Sequence, residues 1–163
     1  MLIDILNHIE TNEIKVTKLR GVMAGGASVP VEVAQRVSTV IKSVTDMRIG
    51  YGATELGPCV TASNPEDGAE RKLETVGAPL DFVEVKLVDP KTQKTVKIGE
   101  QGELLARGHN VMIGYWNEPE KTSEAIDAAK WYHTGDMATM DAEGFVKIVG
   151  RTKEMIIREC FLS

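Results

Sequence analysis

The sequence predicts an α/β fold, with a partial parallel α/β unit over residues 1–60 and a mostly antiparallel β region over residues 61–150. Three patterns carry this. Residues 19–51 run from an apolar stretch through a glycine pair and a helix-like periodicity to a second apolar stretch, the order of a right-handed strand–helix–strand crossover. Beyond residue 80, alternation of apolar and polar residues replaces helical spacing, as a half-buried strand requires. Asp141-Ala142-Glu143-Gly144 then joins two such runs, with glycine where a hairpin needs a positive φ.

Leu2, Ile5, Leu6 and Ile9 recur at helical spacing, so residues 1–10 form an amphipathic helix that needs a core partner. Leu19 to Ala24 reads as a strand ending in Gly25-Gly26. Ser28 and Pro30 then open a helix that sets Val33, Val37, Val40, Ile41 and Val44 on one face. Met47 to Tyr51 is the next strand. The polar stretch Thr61 to Gly68 is expected as a surface loop. Val83, Val85 and Leu87 alternate with Glu84 and Lys86, Glu103 to Arg107 forms another run, and Pro119 to Ala128 suits a helix. Trp131 to Met140 and Phe145 to Val149 flank the hairpin connection. Two parallel strands do not make a self-sufficient sheet, so each half is expected to be part of a larger unit that leaves apolar surface uncovered.

A formal charge of −5 without a Lys/Arg cluster argues against nucleic-acid or anionic-membrane partners, which need a concentrated positive field. Cys59 and Cys160 lie outside any C-x-x-C pattern, so they read as free thiols in a reducing, intracellular compartment rather than a disulfide or zinc framework. Asp4 interrupts the apolar start and no basic flank precedes it, so neither a targeting peptide nor a membrane span is expected. Oligomeric state has no signature.

Four segments carry candidate chemistry. Gly25-Gly26-Ala27-Ser28 lies between a strand and a helix, where backbone N–H groups can approach a ligand. It matches neither phosphate-loop pattern and, alone, reads more simply as a structural turn. Tyr51-Gly52-Ala53-Thr54-Glu55 follows a strand's carboxyl end, the place where open α/β sheets bind ligands. A tyrosine face stacks on a purine, a threonine hydroxyl meets a phosphate oxygen, and a glutamate holds magnesium; an ordinary capped loop is the equal alternative. Tyr132-His133-Thr134-Gly135-Asp136 ends in an acid able to accept from ribose hydroxyls. His133 has no nucleophile motif beside it and reads as a structural hydrogen-bonding residue. Gly150-Arg151-Thr152-Lys153 follows the last strand, where an arginine can meet a ribose or phosphate or stay solvated.

Taken in order, these segments, with Gly102-Glu103-Leu104, Gly108 and Gly114-Tyr115-Trp116, resemble the signature series of the adenylate-forming acyl- and aryl-CoA synthetases, luciferases and peptide-synthetase adenylation domains. The wording Asn110 to Trp116, with Lys121-Thr122 and Trp131-Tyr132, is most similar to the medium-chain acyl-CoA synthetase type. The resemblance implies a fragment of the AMP-binding N-terminal domain. Residues 1–60 would belong to its α/β subdomain, 61–150 to a mostly antiparallel, β-barrel-like subdomain, and 151–163 to the start of a hinge and a divergent tail.

The roles implied by the resemblance follow residue by residue. Gly25, Gly26 and Ala27 would line the adenine and acyl side, and Tyr51 beside Gly52 would pack on adenine. Thr54 would bind the acyl-adenylate phosphate, and Glu55 would help hold Mg2+. Asp136 and Arg151 would grip the ribose, and Lys153 would be the hinge. A fatty carboxylate, medium-chain favoured, attacks the α-phosphate of ATP to give acyl-AMP and pyrophosphate; the thiol of coenzyme A then displaces AMP. Charge develops on phosphate oxygens, so magnesium, hydroxyl and lysine groups are needed rather than a nucleophilic side chain. The resemblance also implies a mitochondrial setting.

Two family features are missing from the chain. No Ser/Thr/Gly-rich phosphate loop ending in Pro-Lys occurs, and Glu159-Cys160-Phe161-Leu162-Ser163 stands where a glycine pair would lead to the lysine-bearing C-terminal domain. The 163 residues alone are thus expected to lack turnover. The alternatives are a non-catalytic nucleotide- or acyl-binding module and a piece of an aryl-CoA ligase or luciferase-like enzyme. Met23, Ala24, Cys59 and Val60 favour an apolar acid.

Overall fold

A computed structural model describes residues 1–152 of the chain. Its element order is α1 (Leu2–Thr11), β1 (Gly21–Ala24), α2 (Val31–Val40), β2 (Asp46–Tyr51), a 3-10 turn (Thr54–Leu56), β3 (Thr61–Ala62), α3 (Ala69–Glu74), β4 (Ala78–Pro79), β5 (Val83–Val88), β6 (Gly102–Gly108), α4 (Pro119–Ala125), β7 (Tyr132–Met140) and β8 (Val146–Arg151). The strands form two four-stranded sheets, β1-β2-β3-β4 and β5-β6-β7-β8.

In the first sheet β1 and β2 are parallel, with Gly21 opposite Asp46 and Ala24 opposite Ile49, as the crossover order predicts. The helix faces explain the packing. Leu6 and Ile9 of α1 meet Ala34 and Val37 of α2, with Ile41, Val44 and Met47 completing one core. Ile5 departs from the predicted face and is 47% exposed, because the α2 contact is narrower than the apolar stripe. Arg36 of α2 ties the two helices by donating to Asn7 Oδ1 (2.7 Å) and pairing with Glu10.

The expected loop after residue 60 begins instead as a strand. Thr61–Ala62 pairs antiparallel with Gly50–Tyr51 and with Ala78–Pro79, so the first sheet continues to Pro79 and the second begins at Val83. Polar residues are buried here because Ser63 Oγ joins the ladder, accepting from Ile49 N (3.1 Å) and donating to Ile49 O (3.2 Å). Thr61 Oγ1 is buried with no partner among the described residues. A buried hydroxyl without a partner costs about 1–3 kcal/mol, and a same-shaped apolar group avoids that cost. Thr61→Val is therefore expected to raise the melting temperature; a drop of several degrees in a thermal melt would contradict it.

The second sheet is antiparallel throughout. Its core joins Val83, Leu87, Leu104, Ala106, Tyr132, Ala138 and Val146 to Leu56 and Val60 from beyond β2, so the loop after the parallel pair is anchored in the second core. A backbone stitch completes the join: Val76 N donates to Val146 O (2.8 Å) and Val146 N to Gly77 O (2.9 Å). The expected hairpin between β7 and β8 is present, with Asp141 N donating to Phe145 O (3.1 Å) and Gly144 at φ +88°. Helix α4 ends at Ala125 rather than Ala128, because Ile126 bridges to Tyr132 and Asp127 caps the turn by accepting from Trp131 N (2.8 Å).

Candidate functional site

The two sheets meet in an open cleft of about 1160 Å³. One wall is the turn after β1 with Gly26 and Ala27, another is Tyr51, Gly52 and Glu55, and the third comes from Tyr132, Thr134, Asp136 and Arg151. A smaller adjoining pocket of about 510 Å³ is lined by Met23, Gly25, Thr54, Pro58 and Cys59 among others. Every residue singled out from the sequence for binding, Gly25, Gly26, Ala27, Tyr51, Gly52, Thr54, Glu55, Asp136 and Arg151, thus lines one or both of these spaces. Lys153 lies outside the described residues. Val60 is fully buried in the second core rather than at the pocket.

The local geometry of each wall follows from the fold. The strand β2 ends at Tyr51, and the chain turns so closely that a Cβ on Gly52 would sit 2.0 Å from Pro58 O. Glycine alone permits this approach. Asn110 pins the returning loop by donating from Nδ2 to Leu56 O (2.8 Å) and Cys59 O (3.1 Å). Glu55 is consequently held in place at both ends. Its backbone carbonyl accepts from Met112 N (2.8 Å), and its carboxylate accepts from the Tyr115 hydroxyl (2.9 Å).

Asp136 is the electrostatic centre. It is buried on β7, and its two oxygens accept from the Tyr51 hydroxyl (2.5 Å) and from Arg151 Nε (2.7 Å). Residues 85 positions apart in the chain, Tyr51 and Asp136, are therefore in direct contact across the two sheets. Each carboxylate oxygen carries two lone pairs, so the acid can still accept from a ligand in the cleft.

Burial, followed by donation to Asp136, pushes the Tyr51 hydroxyl well above its ordinary pKa. Burial raises Tyr115 and Tyr132 as well, with the Glu55 hydrogen bond next for the first and the Tyr115 hydrogen bond next for the second. These are all three tyrosines of the chain. A raised folded-state pKa gives stability that is intact below the unfolded value of about 10 and is lost as pH climbs above it. Absorbance at 295 nm is expected to show Tyr51 and Tyr132 still protonated at pH 10 while the fold holds, ionising only with alkaline unfolding. A step near pH 10 corresponding to all three tyrosines with the fold intact would contradict this.

Glu103, Thr134, Tyr115 and Thr152 hold the site residues but are given no role by sequence patterns. Their function is visible only once strands are paired. Each stands next to, or within, a segment that a glycine punctuates and that carries the resemblance. Among the described residues no group of three or more His, Cys, Asp and Glu side chains is placed to hold a metal ion, and no helix is long and apolar enough to cross a membrane.

Comparison with known proteins bears on the family and the fold. The chain is 41% identical over 158 residues to the mitochondrial medium-chain acyl-CoA ligase ACSF2 of Macaca fascicularis, a match covering 97% of this chain and 25% of that protein. Its fold superposes with a TM-score of 0.83 on the crystal structure of a long-chain-fatty-acid-CoA ligase, FadD1, from Archaeoglobus fulgidus, over 93% of this chain and 32% of that one at 24% identity. The anthranilate CoA ligase AuaEII, solved in complex with anthranoyl-AMP, matches at 29% identity with a TM-score of 0.73 over 85% of this chain and 25% of its own. The chain spans about a quarter of the length of these curated relatives. Residues 1–116 match the AMP-binding enzyme family, and the chain belongs to it.

Proposed function

We propose that the cleft is the adenosine- and acyl-facing part of an ATP-dependent medium-chain fatty acid–CoA ligase. The contact of Tyr51 and Arg151 with the buried Asp136 supports this most strongly. It sets an aromatic face beside a carboxylate that can accept from two ribose hydroxyls, with the Gly25-Gly26-Ala27 turn opposite as the other adenine wall. Thr54 meets the adenylate phosphate from the smaller pocket. Met23, Pro58 and Cys59 give that pocket an apolar end suited to an alkyl carboxylate. The medium-chain preference and a mitochondrial setting are drawn from the relatives' names.

Magnesium fits as a companion of the nucleotide rather than as a resident ion. Mg2+ characteristically takes one or two carboxylates plus substrate phosphates. Glu55 supplies one such carboxylate, steadied by Tyr115. When bound, the ion would neutralise phosphate charge; the chain's own contribution is to orient Glu55 and to keep the Tyr51 hydroxyl protonated. Lys153 is assigned to the hinge by resemblance.

The chain alone is expected to bind nucleotide rather than turn over. Isothermal titration tests this: saturable binding of AMP and tighter binding of a non-hydrolysable decanoyl-AMP analogue are expected, with no acyl-CoA formed from fatty acid, ATP and coenzyme A. Absence of binding by either nucleotide would overturn the reading. Preference for an aryl-AMP analogue would redirect it to an aryl-CoA ligase.

A further inference from the structure

Asp136 owes its position to an irregularity in β7. Opposite β6, Leu105 pairs with His133 and Glu103 with Met137, so Leu104 alone faces Thr134, Gly135 and Asp136. The extra residues must leave the ladder, and Gly135 does so at φ +69°, a conformation that glycine adopts without strain. Such a bulge re-aims the next side chain, here Asp136, into the cleft. It also removes the regular hydrogen-bond partners of the residues it displaces.

Side chains replace them. The Thr134 hydroxyl donates to Leu104 O (2.7 Å) and accepts from Asp136 N (3.0 Å). Thr152 donates from N (2.9 Å) and from Oγ1 (2.8 Å) to Gly135 O. The N–H of Gly135 goes to the carboxylate of Glu103 (3.2 Å), which is 8% exposed. The other Glu103 oxygen lies 3.5 Å from His133 Nδ1. A buried carboxylate inside a β core is costly unless hydrogen-bonded, and here it accepts from an amide that the bulge takes out of the β6 ladder.

We infer that Glu103 is a positioning residue for the nucleotide site: by accepting the Gly135 N–H it holds the β7 bulge in the form that presents Asp136 to a ribose. Glu103 bears on AMP only if Asp136 holds the ribose, the reading proposed above, whereas its hold on the bulge is independent of any ligand. The two are separable by experiment.

The test uses the full chain and the variants Glu103→Ala and Glu103→Gln, with amide hydrogen exchange resolved at Gly135 and Asp136 and with AMP titrated calorimetrically. Glu103→Ala is expected to speed exchange at Gly135 and Asp136 about tenfold while the amides of Leu105 and Ala106 stay protected, and to weaken AMP about tenfold. Glu103→Gln retains a carbonyl oxygen that can accept the same N–H and is expected to restore both. Wild-type exchange at Gly135 in Glu103→Ala would overturn the positioning role. If the wild-type chain bound no AMP, the ribose reading would fail while exchange still decided the bulge. If Glu103→Ala did not fold, a folded Glu103→Gln with wild-type protection at Gly135 would support the inference, and one with lost protection would overturn it.

Discussion

Asp136→Ala is expected to weaken AMP binding by about 30- to 150-fold, the loss of roughly 2–3 kcal/mol that accompanies removal of charged hydrogen bonds from a buried site. The carboxylate is the shared acceptor of the Tyr51 hydroxyl and Arg151 Nε, so its removal takes away the ribose acceptor and the tether that holds the aromatic wall. Tyr51→Phe separates these contributions. It keeps the ring and loses only the donated hydrogen bond, and a weakening of less than about tenfold is expected. Titration calorimetry of the two variants checks the order. Equal effects from both would mean that the hydroxyl, not the acid, carries the affinity.

Gly77→Ala is the expected structural counterpart. Gly77 has φ +79°, and a Cβ there would lie 1.9 Å from Ala62 C and 2.2 Å from Ser63 N. The close neighbours are backbone and cannot swing aside. The same residue accepts from Val146 N, so any shift opens the stitch between the sheets and with it the cleft. Strain at a left-handed position, added to a backbone clash, is expected to cost at least about 3 kcal/mol. For a chain of this length that lowers the melting temperature by about 6–12 °C. A calorimetric shift below about 2 °C would show that the seam is less rigid than its geometry implies.

Local patterns were enough for the elements whose neighbours in space are also neighbours in sequence. The parallel pair and its helix follow from the Leu19 to Tyr51 succession, and the β7–β8 hairpin from Asp141 to Gly144. Thr61 is not legible as a strand residue, nor Ser63 as a buried one. Their polarity reads as loop, and only the tertiary partners of Ser63 at Ile49 make its burial affordable. Ile5 shows the same limit in reverse, since an apolar stripe does not reveal how much of it a short partner helix covers.

The candidate site divides in the same way. Tyr51, Glu55 and Arg151 stand out because they sit at or just past strand ends, and Asp136 because it is an acid beside a glycine. Their mutual contact across 85 residues is a property of sheet packing and of no local pattern. Glu103 and Tyr115 had no legible role, because one is defined by the bulge opposite Leu104 and the other by reaching Glu55 from a separate loop. Identity to the ligases bears on the family and does not supply that geometry.

A crystal structure of this chain with AMP tests the central claim most directly. Adenine is expected to stack on the Tyr51 ring between Gly25-Gly26-Ala27 and β2, with ribose hydroxyls about 3 Å or less from the Asp136 carboxylate. AMP bound away from Asp136, or a cleft that stays empty at saturating nucleotide, would contradict it.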